Sequence, residues 1–209
     1  MTSRIGAMLT VSVITVASSA CAKIPPMHYY TLQMRQDSST AAASDPAEPG
    51  LVIGVLTFEV DPPYDQDRIV YRQAQGSPEV GFYTYHRWVA PLSRMLPGVV
   101  SEGLQETAGV TLVEPASSGR DYSGLLEGRV MEIEEIDGPS APRARVRLLL
   151  TLRLKNAGVI WKETLEGEAV PPAPTVGGIV EALNAALRSS LEHARTQLAA
   201  ALARRTETP

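Results

Sequence analysis

The clearest alternation in the chain is RARVRLLLTLRLKN, residues 143–156. Val146, Leu148, Leu150, Leu152 and Leu154 fall on every second position. Arg145, Arg147, Thr151 and Arg153 lie between them, with Leu149 the apolar exception. A period of two puts successive side chains on opposite faces, so this is a strand with one buried side. The preceding YSGLLEGRVMEIEEID, residues 122–137, has the same length and texture, and GPSAP joins the two. In strict alternation Glu127, Arg129, Met131 and Ile133 share one face and Gly128, Val130, Glu132 and Glu134 the other. The pair reads as a long β-hairpin that sets an acidic strand end beside an arginine-rich one. Residues 159–168, after the NAG turn, make a further strand containing Trp161.

Shorter strands precede the hairpin. MHYYTLQM, residues 27–34, carries Tyr29, Tyr30 and Thr31 in a row, a β-favouring composition. LVIGVLTFEV, residues 51–60, is almost continuously apolar and reads as a strand covered on both faces. Residues 68–73, 79–88 and 110–115 add three more. Between the first two, residues 35–50 hold Ala, Ser, Asp and Pro without apolar period and form a flexible loop.

Two stretches follow the helical period instead. In residues 91–108, Leu92, Met95, Leu96, Val99, Val100 and Leu104 make one stripe. Pro91 suits a first turn, Pro97 should kink the helix or mark its true start, and Gly109 stands as a C-terminal stop. In residues 175–205, Ile179, Leu183, Ala186, Leu187, Leu191, Ala194, Leu198 and Leu202 line another stripe behind Thr175, a candidate N-cap. The expected fold is therefore α/β. It is a single mixed β-sheet domain with a long β-hairpin in its second half and two main helices packed on the sheet, the second of them C-terminal.

Composition narrows the function classes. With 209 residues, 44% hydrophobic, the chain can bury a sizeable core. A net charge of -4 argues against nucleic-acid binding, which needs a basic stripe. The single cysteine, Cys21, excludes an internal disulfide and a cysteine-rich zinc site. His28, His86 and His193 sit in different elements without metal-ligand spacing. No H-E-x-x-H, G-x-S-x-G or P-loop occurs. Asp61, Asp65 and Asp67 cluster, but Pro62 and Pro63 intrude and a calcium loop's central Gly is missing, so the segment reads as a turn. Gly177 and Gly178 read as loop-to-helix geometry, Trp88 and Trp161 as core or interface. The arginines of residues 143–155 read as a solvated face with acidic neighbours. No catalytic, cofactor-binding or metal site is expected.

The N-terminus reads as an export leader. Arg4 supplies a short positive region, residues 5–16 an uncharged and mostly apolar run, and residues 17–20 the small side chains a peptidase needs. The run is shorter than the ~20 apolar residues of a membrane-spanning helix. Cys21 then fits the bacterial lipoprotein pattern, in which the cysteine is acylated and becomes the new N-terminus. Ser19 and Ala20 suit that pattern, while Ser18 stands where such lipoboxes usually carry Leu. The alternatives are an ordinary secreted protein, cut after Ala20 or Ala22, and a retained apolar anchor. The resulting division is a signal peptide (1–20), a lipidated tether (21–26), the domain (27–205) and a tail (206–209).

Several segments, taken in order, carry a resemblance: the cysteine, then PPMHYYTL, DRIVYR, YTYHRWVAPLSRMLPGVVSEGL, LEGRVMEIE and VEALNAALRSSLEHARTQLAAAL. Together they resemble the ABC-type transport auxiliary lipoprotein family, the PqiC-like components of MCE-type lipid transport systems. The resemblance covers nearly all of the mature chain. It implies a compact α/β domain and a non-enzymatic lipoprotein at the outer membrane, facing the periplasm. Its partners would be an MCE-domain protein and ABC transporter components, with the membrane reached through the lipid on Cys21. The family has no catalytic residues to carry over, and a homo-oligomer is left open. A structural or assembly lipoprotein of another envelope complex is the alternative. A periplasmic hydrolase would need His86 bonded to a serine and an aspartate in one cleft.

Overall fold

The computed structural model describes residues 24–34, 50–138 and 141–206. The signal peptide, Cys21, most of the 35–50 loop and residues 207–209 lie outside the described residues. Among the described residues nine strands and two helices follow in chain order: β1 (His28–Tyr30), β2 (Leu51–Val55), β3 (Glu59–Val60), β4 (Arg68–Arg72), β5 (Gly81–Trp88), α1 (Leu92–Leu104), β6 (Val110–Pro115), β7 (Gly124–Ile136), β8 (Arg143–Leu154), β9 (Gly158–Ala169) and α2 (Val176–Thr206). All the strands belong to one mixed sheet, and the α/β class with its long hairpin and two helices is as the periodicity requires.

The organising element is β7. Its one edge pairs antiparallel with β8, which pairs antiparallel with β9. Its other edge is shared by three short parallel strands, with β2 at residues 124–126, β3 at 129–130 and β4 at 134–136. Beyond β2 lies β6, and beyond β4 lie β5 and then β1, which runs parallel to β5.

Both helices pack on the same face. The α2 stripe from Ile179 through Leu183, Leu187, Leu191 and Leu198 is buried, as are Val146, Leu148, Leu150, Leu152 and Leu154 on β8. Thr175 caps α2: its Oγ1 accepts the Gly178 N–H at 3.1 Å, satisfying one of the first-turn donors. The helix comes so close to β9 that a Cβ on Gly167 would stand 2.4 Å from the Ala186 carbonyl oxygen.

Four local expectations change. The 51–60 run is not one strand, because residues 56–58 leave the ladder between β2 and β3. Pro97 supplies the reason. It lies inside α1, which starts at Leu92, and has no N–H to offer the Ser93 carbonyl one turn back. The Phe58 N–H donates to that carbonyl instead, at 3.1 Å. The Phe58 ring then lies over Gly128 of β7, where any Cβ would meet it at 2.3 Å.

Gly109 does not end α1, which stops at Leu104; it turns the chain into β6 at φ 82°. The alternation proposed for β7 holds only to Val130. A bulge between Val130 and Glu132 resets the register, so Ile133 joins the core face opposite Val146 rather than the face of Arg129. Finally, the 27–34 strand shortens to His28–Tyr30. Past Tyr30 the chain turns onto the helices: the Leu32 N–H meets Met95 Sδ at 3.3 Å and the Gln33 N–H meets Asn184 Oδ1 at 3.1 Å.

Candidate functional site

The residue types that could carry chemistry meet at the β1–β5 edge. Parallel pairing sets His28 beside His86, Tyr29 beside Arg87 and Tyr30 beside Trp88. The two imidazoles stack with centroids 5.0 Å apart and planes 13° from parallel. His86 Nδ1 shares a hydrogen bond of 2.9 Å with the Tyr30 hydroxyl, and Tyr83 meets the His86 ring edge-on at 5.7 Å. Tyr83 in turn lies 5.1 Å from Tyr71 and donates its hydroxyl to Glu135 Oε2 at 2.5 Å. An aromatic and polar row thus runs from the N-terminal strand into the sheet.

The surroundings of this row disfavour charge on His86, Tyr83 and Glu135. Burial, then the neighbouring His28, pushes the His86 pKa down. Burial and the Glu135 carboxylate push the Tyr83 hydroxyl up, and burial raises Glu135. A phenol whose pKa is raised is a poorer nucleophile at neutral pH, and His86 is bonded to a tyrosine rather than to a serine and an aspartate. Among the described residues no group of three or more His, Cys, Asp or Glu side chains is placed to hold a metal. The row therefore fastens β1 onto β5. The histidines looked unrelated because nothing local in a sequence announces a parallel pairing between distant strands. His193 is apart from them, beside Gln197 on the exposed side of α2.

Along the same edge several apolar side chains are exposed. Ile24 is 82% exposed, Tyr29 63%, Val89 62% and Met27 39%. These are four of the seven large apolar side chains exposed among the described residues. Val89 is tied to β1 by its N–H, which donates to the Tyr30 carbonyl at 2.8 Å.

The remaining candidates resolve into scaffold. Asp61 pairs with Arg129 at 2.7 Å and Asp67 with Arg87 at 2.5 Å, so the acidic turn is bound to the sheet. Trp88 and Trp161 are core residues. Gly178 is required by the close approach of the Ala173 carbonyl at the α2 start. The open face of β7–β9 is a charge ladder. Arg145 meets Glu168 at 2.5 Å and Glu132 at 3.8 Å, and Arg147 reaches Glu132 and Glu166. A hollow of about 320 Å³ there is lined by these paired charges and is no free basic patch. Arg145 also draws the Glu168 pKa down.

One buried group had no signal in the sequence. Glu134, 2% exposed, accepts from Arg72 Nε at 3.0 Å and from the Tyr64 hydroxyl at 2.8 Å. The Tyr64 pKa is raised by burial and by this carboxylate.

The model of the family described as ABC-type transport auxiliary lipoprotein component matches residues 30–203. Among solved structures, protein XCC0632 from Xanthomonas campestris, of the DUF330 family, is similar at 18% identity and a TM-score of 0.67. The match covers 86% of this chain and 99% of that one. A second protein, described as uncharacterized, is 13% identical with a TM-score of 0.64, over 83% of this chain and 99% of its own. At these identities the two structures speak for the fold alone. No curated protein matches the chain by sequence.

Proposed function

The chain belongs to the family of ABC-type transport auxiliary lipoprotein components, and from that we propose that it serves an envelope ABC/MCE-type lipid transporter as a non-enzymatic accessory lipoprotein. Cys21 is its acylation site. Residues 1–20 are the leader removed before it, and residues 21–26 tether the folded domain to the outer membrane on the periplasmic side. The domain docks on an MCE-domain partner of the transporter.

The observation that carries this reading is the family match across nearly the whole folded region. Two others support it. No helix of the described residues is long and apolar enough to cross a membrane, which accords with anchoring by lipid. The tyrosine and histidine side chains are engaged in packing β1 against β5 rather than arranged as nucleophile, base and orienter.

Affinity purification of the acylated protein from membranes, with mass spectrometry of partners and bound lipid, tests the proposal. The expected result is co-recovery of a permease, an ATPase and an MCE-domain protein. Recovery of a different envelope machine, or of none of these, would overturn it.

A further inference from the structure

We infer that the exposed apolar face of the β1–β5 edge is a membrane-contact lip: Ile24, Met27, Tyr29 and Val89 seat the domain in the interfacial layer of the bilayer that holds its anchor. The inference rests on Cys21 being the acylated residue, and it adds a second contact that acylation alone does not require.

Chain reach makes the first argument. Ile24 lies three residue steps from Cys21, and at ~3.3–3.6 Å per step these span at most ~11 Å. An acyl chain on Cys21 lies among the lipid tails, so Ile24 cannot stand further than that from the headgroup layer. The apolar side chains continue from there at Met27 and Tyr29, and Val89, just past the end of β5, is bonded to Tyr30 of β1. A second copy or a protein partner could cover an apolar face elsewhere on the molecule. This face is the one the tether holds against lipid.

Charge makes the second argument. The chain carries -4 overall, yet from Cys21 to residue 34 it has no Asp or Glu, and it has Lys23. On the folded edge, Arg87 neutralises Asp67 beside Tyr29. A surface meant for lipid headgroups needs this absence of acid, because anionic lipids repel carboxylates and attract lysine and arginine. The residue types fit as well. Tyrosine has an apolar ring and a polar tip and is enriched at membrane–water interfaces. A protein held by lipid chains gains stable attachment from a second signal.

Rigidity is the third argument. At Tyr29 and Val89 the lip is no loose tail: the backbone bonding of β1, the His28–His86 stack, the Tyr30–His86 hydrogen bond and the Val89 N–H on the Tyr30 carbonyl hold it on the sheet. Lip contact therefore fixes the orientation of the whole domain, with β1 and β5 down and the β9 edge at the far side of the sheet.

The test uses the full mature protein in vesicles of phosphatidylethanolamine and phosphatidylglycerol. Tyr29→Trp places a fluorophore on the lip, and Val159→Trp, at a residue 47% exposed on β9, serves as the distant control. The native Trp88 and Trp161 are buried and supply a constant background. Intact mass reports acylation in the same samples. The expected result is a shift of Tyr29→Trp emission to shorter wavelength and quenching by brominated lipid, with Val159→Trp unaffected. An acylated protein whose Tyr29→Trp emission stays water-like and unquenched overturns the lip and leaves the anchor standing. An unacylated protein overturns both.

Discussion

Arg72 and Glu134 form a two-pronged ion pair between adjacent parallel strands, Nε to Oε1 at 3.0 Å and Nη2 to Oε2 at 3.1 Å, with the carboxylate 2% exposed. Tyr64 donates to the same carboxylate, and the Arg72 guanidinium also reaches the Ser77 carbonyl. The network therefore ties β4, β7 and the two loops flanking β4 together. Removing one partner of such a pair leaves a buried charge uncompensated, at a cost of about 3–5 kcal/mol. Arg72→Ala is expected near the lower end of that range, because the Arg72 side chain is 18% exposed. Glu134→Gln keeps the shape and should cost less. Urea unfolding curves of the two variants check both the size and the order.

Two glycines should respond oppositely to the same substitution. Gly167→Ala drives a methyl into the Ala186 carbonyl of α2, and rigid backbone cannot step aside as a side-chain tip can. Overpacking of this kind destabilises by about 1–3 kcal/mol. Gly98 lies on the exposed side of α1 with nothing near its Cβ position. Gly98→Ala should stabilise by about 0.5–1 kcal/mol, through helix propensity. Thermal melts of the two variants beside the parent decide the signs.

His86 should make the fold acid-sensitive. Its pKa in the folded protein lies below the ordinary 6.5, because burial and His28 disfavour the imidazolium. Between that lowered value and 6.5 the unfolded chain binds the proton more readily, so stability falls as pH drops through the window and is level above it. Glu135 works in the other direction at lower pH, since its raised pKa favours proton uptake by the folded state. The measurement is therefore a difference: the loss of stability between pH 7 and pH 5.5 should shrink in His86→Gln. An unchanged loss would remove His86 from the account.

Cys21→Ala should release the domain from the membrane while leaving its fold intact, since the packed core begins at Leu32. Fractionation together with circular dichroism reads both halves of the expectation. A variant that still sediments with membranes at parental levels would assign the anchor to the apolar run of residues 5–16.

What the sequence made legible follows from the range of the interactions. β8 could be read from its own residues, because one buried face imposes alternation on five successive apolar positions. α2 was equally plain, down to Thr175 as its cap. β7 was readable as a strand but not in register. The bulge at Met131 depends on its partners, and it moved Ile133 across the sheet. The break at residues 56–58 needed Pro97, far along the chain, to leave a carbonyl open for Phe58. The His28–His86 stack and the Arg72–Glu134 pair are products of parallel pairing, and distant strands carry no local mark of their partner. The family resemblance, carried by ordered segments, holds over residues 30–203. The apolar lip had only the bare letters of KIPPMHYY as a sign, since exposure is decided by what fails to cover them.

The placement of β7 has a consequence for how the chain acquires its structure. β2, β3 and β4 all dock on a strand that comes later in the sequence, so until residues 124–136 have emerged the β1–β5–β4 and β2–β6 groups have nothing to join them into one sheet. Parallel contacts closed across long loops are slow to form. The emerging chain must pass through an interval in which the apolar residues of β2 and β4 are made but unsheltered. Binding by a holdase chaperone would be needed most in that interval, and a truncation ending before Gly124 would extend it indefinitely.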